Sequence, residues 1–460
     1  MPLRIANAAG FLGDQLDAPR RLVEGAQRAG APIDYLTLEY LAELTLSILA
    51  RQREKNPAAG FAEDFLYALK SLGPALRSQA GLKIVTNAGG MNPTACAQAA
   101  AKILQEHGLT PLPIGVVTGD DLLGELASAQ AAGERFANFD SGAPLATLAR
   151  PIVSANAYLG AEPIARALAQ GSRLVITGRV ADASLTLGPA VHEFGWDWTD
   201  WDRLAGASVA GHLIECGAQV TGGYSDRWQT FDLTDVGYPI AELEADGSCV
   251  ITLPAGSGGT VDRLSVVSQL VYEIGDPQHY LTPDVDCDFT TVTVAEVGPN
   301  RIRVQGGRGR PAPPSLKVSL AYRQGFAASG QLLVYGSDCV EKAQVCGRMI
   351  LDRLARAGWE VAQSNIECLG GSAGVPGLIS AAPAPTEVVL RVSVADPRQE
   401  AVARFTREFA PLITSGPAGL AGYAAGLPTV RPVFAYWPTL IARDRVHPQV
   451  DVRSAAQWLS

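Results

Sequence analysis

The sequence contains no C-x-x-C pair, no G-x-G-x-x-G and no G-x-x-x-x-G-K-[ST], and no uninterrupted apolar run comes near the roughly 20 residues of a membrane-spanning helix. Each absence removes a class of protein. Without the first, neither a thiol–disulfide exchanger nor the usual zinc spacings are supported. Without the glycine fingerprints, a standard dinucleotide fold and phosphoryl transfer from ATP lose their ground. Without the apolar run, and with an N-terminus (MPLRIANAAGFLGDQ) that lacks a secretory core, the expectation is a cytoplasmic protein with no membrane contact. Basic surplus is also missing. The formal net charge of -9 argues against nucleic acid as a partner. Seven dispersed cysteines fit reduced thiols.

What is present is a chain of 460 residues, 47% hydrophobic and 18% charged, which is a globular composition with room for more than one domain. Short apolar runs recur at YLTLEYL (35–41), LKIVTNA (82–88), LPIGVVTG (112–119), PIVSANAYLG (151–160) and SRLVITGR (172–179). Segments with helical composition lie between several of them, such as PTACAQAAAKILQEHG (93–108). Strands alternating with helices predict a largely parallel sheet covered by helices in the N-terminal half. A helix is expected over 261–274, with Leu264, Val267, Val271 and Ile274 on its apolar face. Beyond about 287, FTTVTVAEV, RIRVQGG, LKVSLAYRQG and LLVYGSD are separated by Pro, Asn and Gly, as in an antiparallel sheet. The segments 308–315 and 377–387 are Pro-rich and are expected to be linkers. The fold class is therefore α/β, with an α/β domain of βα repeats over 1–260 and an α+β domain with antiparallel strands over 261–460.

In a parallel α/β sheet, ligands bind beyond the carboxyl ends of the strands. KIVTNAGGMNP (83–93) is one such end. Gly89 and Gly90 permit unusual backbone angles or close approach, Asn92 suits a helix N-cap and Pro93 the first helical position. Polar residues accompany the other runs: Glu39 within the first, Asp120 and Asp121, Ser154 and Asn156, then Thr177, Arg179, Asp182 and Ser184. On parallel neighbouring strands these side chains converge on one rim. Asn87 and Asn156 are then amide donors to an enolate-like oxygen, and Arg179, with the amides after Gly89, the grip on a carboxylate or thioester oxygen. Asn92 and Ser184 complete the substrate-binding set. PAGSGGTVD (254–262) is a second anion cradle. Its residues Gly256, Ser257, Gly258, Gly259 and Thr260, with Thr260 as N-cap of the next helix, suit a phosphate of coenzyme A.

Only five histidines are present, so a histidine acid or base must come from a short list. His107 and His447 look peripheral and His279 lies in a turn-rich stretch. His192 and His212 remain. His212, Glu215 and Cys216 share one helix face, which also admits a metal, although no metal is assigned. Asp120, Asp182 and His212 are the expected proton carriers.

Several longer blocks, LTLEYLAELTLSIL, KIVTNAGGMNP, SANAYLGAEPI, VITGRVADASLTLGP, GHLIECGAQVTGG, GYPIAELEADGS, YEIGDPQHYLTPDV and GRPAPPSLKVS, follow one another in the order found in the acyclic terpene utilisation (AtuA) family, which the chain resembles from about residue 3 to about residue 435. The resemblance implies the breakdown of branched, citronellol-like acids as CoA thioesters. It carries no catalytic residues over. Many relatives have an added small C-terminal domain, and in others a small separate protein takes its place, which implies a partner protein for a chain without it. The expected function is a non-redox enzyme of carboxylate or acyl-CoA catabolism: hydration or dehydration, isomerisation, or C–C cleavage. A half-site subunit and a metal-dependent hydrolase are the alternatives. No cofactor is expected beyond a CoA thioester as substrate, and the assembly is expected to be a homo-oligomer.

Overall fold

Isoleucine, valine and leucine in four- to six-residue runs make the central strands. The computed structural model describes residues 1–371, 385–422 and 426–460. The strands are β1 (Leu3–Asn7), β2 (Tyr35–Leu38), β3 (Lys83–Thr86), β4 (Pro113–Thr118), β5 (Ile152–Ala157), β6 (Leu174–Thr177), β7 (Ile240–Leu243) and β8 (Cys249–Thr252). A ten-stranded mixed sheet holds most of them. Its order is Thr293–Gly298, Arg301–Gln305, β8, β7, β1, β2, β3, β6, β4 and Gln449–Ser454. The middle five, β1, β2, β3, β6 and β4, are parallel, and the strands flanking them are antiparallel. All four residues of β2 and of β6 are buried, as expected of strands covered on both faces. The helices Ala18–Arg28, Asp64–Ser78 and Pro93–Glu106 supply Leu22, Leu69, Leu72 and Ala100 to one core cluster. Glu162–Ala169, Ser184–Phe194 and Trp201–Glu215 form a second packed group of helices.

The chain divides into two compact units, Met1–Ala321 with Tyr436–Ser460, and Tyr322–Ala435. Residues 261–321 belong to the first because Arg301–Gln305 pairs with β8 and continues the large sheet. In the second, Gln363–Leu369, Glu387–Asp396, residues 326–335 and Leu420–Gly422 form an antiparallel sheet. The helix Cys339–Arg356 and the short helix Gln399–Phe405 pack on it through Ile350, Leu354 and Phe405 against Leu332, Leu390 and Val392.

Four expectations need correction. The run 151–160 does form a strand, β5, but it pairs with the long strand Ser315–Tyr335 and not with the parallel sheet. An apolar run specifies extended backbone and leaves the partner open. The segments 316–325 and 332–338 were expected as separate strands, yet Ser315–Tyr335 is continuous, because backbone pairing with Glu387–Asp396 carries the chain through its small polar middle. The helix near 261–274 is Arg263–Leu270, and it buries Ser265, Val266 and Gln269 while Leu264 and Val271 are exposed. Gln269 faces inward because it meets the main chain of His212, whose carbonyl accepts from its side chain. Within the Pro-rich stretch 308–315, Arg308–Arg310 is a short strand paired with Asp286–Asp288. The other Pro-rich stretch, 377–387, lies mostly outside the described residues.

Candidate active site

Asn7, at the end of β1, donates its side-chain amide to the carbonyls of Ile214 and Glu215, 2.7 Å from each. These are carbonyls that a helix terminus leaves without intrahelical partners, so the last turn of Trp201–Glu215 is tied to the strand end. Gly211 brings that helix against the chain beyond β6: a Cβ there would lie 2.8 Å from the Ala183 Cα. As a result His212 and Glu215 face the Arg179–Asp182 segment across one cavity of about 930 Å³, at the carboxyl ends of β1, β2 and β6.

Arg179 is buried and closely held. Its guanidinium donates to Asp182 Oδ1 at 2.6 Å and to the Leu41 carbonyl, lies 3.9 Å from Glu39 Oε1 and stacks 4.2 Å from the Tyr158 ring centroid. Its main-chain N–H donates to Asp120 Oδ2 at 2.8 Å, and Asn156 donates to the same oxygen at 2.8 Å. Burial raises the Asp120 carboxyl to about 6 against these two donors. Glu39, the residue immediately after the wholly buried β2, accepts at Oε1 from the Asn87 side chain and, at 3.1 Å, from the Leu41 N–H. The amide of Asn87 is oriented by the Tyr40 N–H, which donates to its Oδ1 at 2.8 Å. Oε2 of Glu39 is buried and has no hydrogen-bond partner among the described residues. Burial, reinforced by the charge of Asp182, pushes the Glu39 pKa well above the usual carboxylate range, although Arg179 and Asn87 pull the other way.

His212 is held at both ring nitrogens, Nδ1 3.2 Å from Glu215 Oε1 and Nε2 2.9 Å from the Gln269 carbonyl. A carbonyl only accepts, so Nε2 carries a hydrogen, and the Nδ1–Oε1 contact is then a proton shared between imidazole and carboxyl. Burial disfavours the imidazolium, but the Glu215 hydrogen bond and charge outweigh it and raise the His212 pKa. Burial likewise lifts Glu215, to about 7, against the pull of His212. The second oxygen of Glu215, Oε2, is again buried without a partner among the described residues. With both nitrogens engaged, His212 has no lone pair to offer a metal, and among the described residues no group of three or more His, Cys, Asp or Glu is placed to hold one.

Nearer the mouth, Glu43 accepts from the Tyr158 hydroxyl and, at 3.0 Å, from the Lys317 ammonium. Burial alone would raise Glu43, but Tyr158 and Lys317 prevail and lower it to about 2. Phe11, Phe139, Tyr224, Tyr238, Tyr272 and Tyr280 are among the other residues that line it.

Of the residues expected from sequence, Arg179, Asp182 and His212 line this cavity. Asn87 lies behind Glu39. Asp120 and Asn156 lie behind Arg179, fixing its main chain, so Asp120 is a positioning group and does not face the cavity. The hydroxyl of Ser184 is bound to Asp284 at 2.8 Å, away from the wall. The turn after β3 is closed on itself. Gly90 (φ 51°), Met91 and Asn92 donate their N–H groups to the carbonyls of Asn87, Gly60 and Gly89, and a Cβ on Gly89 would lie 2.5 Å from the Thr177 carbonyl. Asn92 caps Pro93–Glu106 as expected, accepting from Ala95, and its amide donates to the Pro57 and Ala59 carbonyls. The loop with Gly256 and Ser257 borders a separate recess of about 130 Å³ beside the Arg21–Asp235 ion pair. The N–H groups of Ser257, Gly258, Gly259 and Thr260 all donate to main-chain carbonyls, and the cap of the next helix is Asp262, not Thr260, whose hydroxyl goes to Asn300. Those amides are therefore not available to a phosphate. His192 sits beside Glu193, which binds Tyr35 and Lys83 at the amino ends of β2 and β3, on the opposite rim.

The sequence marks Glu39 only as a polar residue within the first apolar run, with no role, and Glu215 only as a residue on the helix face of His212 and Cys216. A carboxylate within a wholly apolar strand run was the available signal for Glu39. Tyr158 and Lys317 had no local signal, because β5 and Ser315–Tyr335 meet only in the fold.

Comparison with curated proteins and with solved structures finds no match. A family model described as acyclic terpene utilisation family protein AtuA matches residues 3–452, nearly the whole chain. On that match, over an α/β scaffold whose sheet end carries a carboxyl-lined cavity, the chain belongs to the acyclic terpene utilisation family.

Proposed function

We propose that the chain is a non-redox acid–base enzyme that hydrates, or in reverse dehydrates, a C=C bond in a branched, terpenoid-type acid or its CoA thioester. The observation that carries this reading is the pair of carboxyl groups on the wall of one cavity, Glu39 and Glu215, each with one oxygen, Oε2, buried and without a partner among the described residues. Two carboxyls held at different protonation levels divide into an acid and a base. Glu39 has both donors on Oε1 and its pKa raised well above the usual range, so its proton sits on Oε2. In the hydration direction Glu39 Oε2 gives its proton to one alkene carbon. Water forms its C–O bond at the other carbon, and the proton it loses goes to Glu215 Oε2, backed by His212. The product is an alcohol, and the two carboxyls recover their states by proton exchange with solvent. Arg179, engaged by Asp182 and the Leu41 carbonyl, positions Glu39.

The test is incubation with branched alkenoic acids and their CoA thioesters in heavy-oxygen water and in deuterium oxide. The expected result is one heavy oxygen and one carbon-bound deuterium in the product, with both lost in Glu215→Gln. Product without solvent oxygen, or unchanged turnover in that variant, overturns the reading.

A further inference from the structure

The charges around the cavity do not match an anionic ligand. Among the described residues six acidic ones line it, Asp14, Glu39, Glu43, Asp182, Glu215 and Glu273, and the lysine and arginine that line it are Lys317 and Arg179. Each is already ion-paired, Arg179 with Asp182 and Lys317 with Glu43, and Arg179 keeps only its buried Nε without a partner among the described residues. Counting Glu39 as neutral, five carboxylates still face two paired cations and the proton shared by His212 and Glu215. A carboxylate or phosphate drawn inside would meet like charge, with both of these cations already paired to carboxylates, an expensive burial. The aromatic lining points the same way. The faces of Tyr and Phe rings attract positive charge, and the Tyr158 ring already carries Arg179 on one contact and Lys317 at 4.7 Å on another. Tyr224, Tyr272, Tyr280 and Phe11 line the same space. Glu39 and Glu215 are themselves buried, each with one oxygen left without a partner among the described residues, so this part of the wall is not a solvated acidic surface.

We infer that the cavity takes the uncharged, branched hydrocarbon end of its substrate and stabilises positive charge that develops there, while the carboxylate or CoA head remains outside. The inference rests on the proposed hydration reaction and sharpens it. Protonation of a branched C=C places positive charge on the more substituted carbon before water adds, and a wall of carboxylates and ring faces is complementary to that charge and not to the ground state. The selected bond is thus a trisubstituted one remote from the head group. The proton reaches the less substituted carbon and the hydroxyl the more substituted one.

The experiment is a calorimetric titration of the full chain with three probes of one branched carbon skeleton: the trimethylammonium salt, the neutral alcohol and the carboxylate. The ammonium is expected to bind at least about ten-fold more tightly than the alcohol, and the alcohol more tightly than the carboxylate. Glu273→Gln and Tyr224→Leu alter exposed positions on the wall, so these chains fold, and both are expected to narrow the ammonium preference. Equal binding of ammonium and alcohol, or carboxylate binding as tight as either, overturns the inference. If that happens while solvent oxygen still enters a product through Glu215, the hydration reading survives alone. If the ammonium preference holds and no branched substrate turns over, the hydration reading fails alone.

Discussion

Two regions at the carboxyl ends of the central strands are rich in polar groups and differ in how those groups are used. In the turn from Asn87 to Asn92, the N–H groups of Gly90, Met91 and Asn92 and both side-chain amides end on neighbouring carbonyls or carboxyls. Across the cavity wall, Glu39 and Glu215 each bind through one oxygen and leave the other buried and unpaired. An unpaired buried polar atom costs stability, so it persists where something besides folding needs it. The turn is built for closure and the wall for a visitor.

Variants sharpen this contrast. The largest effect is expected at the wall. Glu215→Gln should lower turnover by about two to four orders of magnitude, the usual weight of a positioned acid or base, with the chain still folded. Arg179→Ala is expected to lose about 3–5 kcal/mol of stability, because it strips the counter-charge from a buried cluster. Urea unfolding measures that loss, and a stable, inactive Arg179→Ala would make Arg179 a ligand-binding group after all. Asp120→Ala should cost about 1–3 kcal/mol in the same measurement, since the Asn156 amide and the Arg179 N–H lose their acceptor. Asn92→Ala is expected to cost only about 1 kcal/mol, the value of a helix cap, and to leave turnover as it was. Loss of turnover at Asn92 would abolish the contrast between turn and wall.

The pH profile divides the wall itself. Glu215, raised to about 7, acts as base only when deprotonated, so the rate should climb as pH rises through about 7. Glu39, pushed well above the usual carboxylate range, acts as acid only when protonated, so the rate should fall again at a higher pH. A single rising limb in the profile would remove Glu39 as the proton donor.

Much of the scaffold was legible because its signals are local. Apolar runs between helix formers marked β2, β3, β4 and β6, and Asn92-Pro93 marked a helix start that the structure keeps. The same locality misled at 256–260. Glycines there allow the chain to turn, but their amides are satisfied by carbonyls from 221, 235 and 236, which no local pattern announces. The helix Arg263–Leu270 failed similarly: its apolar spacing chose a face that the fold leaves exposed, because Gln269 finds its partner on another helix.

The sequence alone determined the strand–helix rhythm, the absence of nucleotide and membrane signatures, and the family, since these depend on spacing along the chain. Which polar residues meet was decided only by tertiary structure. The close approach at Gly211 and the tie from Asn7 carry His212 and Glu215 to Arg179 and Asp182, and β5 carries Tyr158 to Lys317. Charge acts through space over a few ångströms, so the protonation of Glu39 depends on Arg179 and Asp182, more than a hundred residues away along the chain, and that of Glu215 on Asp182 and Glu273 from other elements as well as on His212.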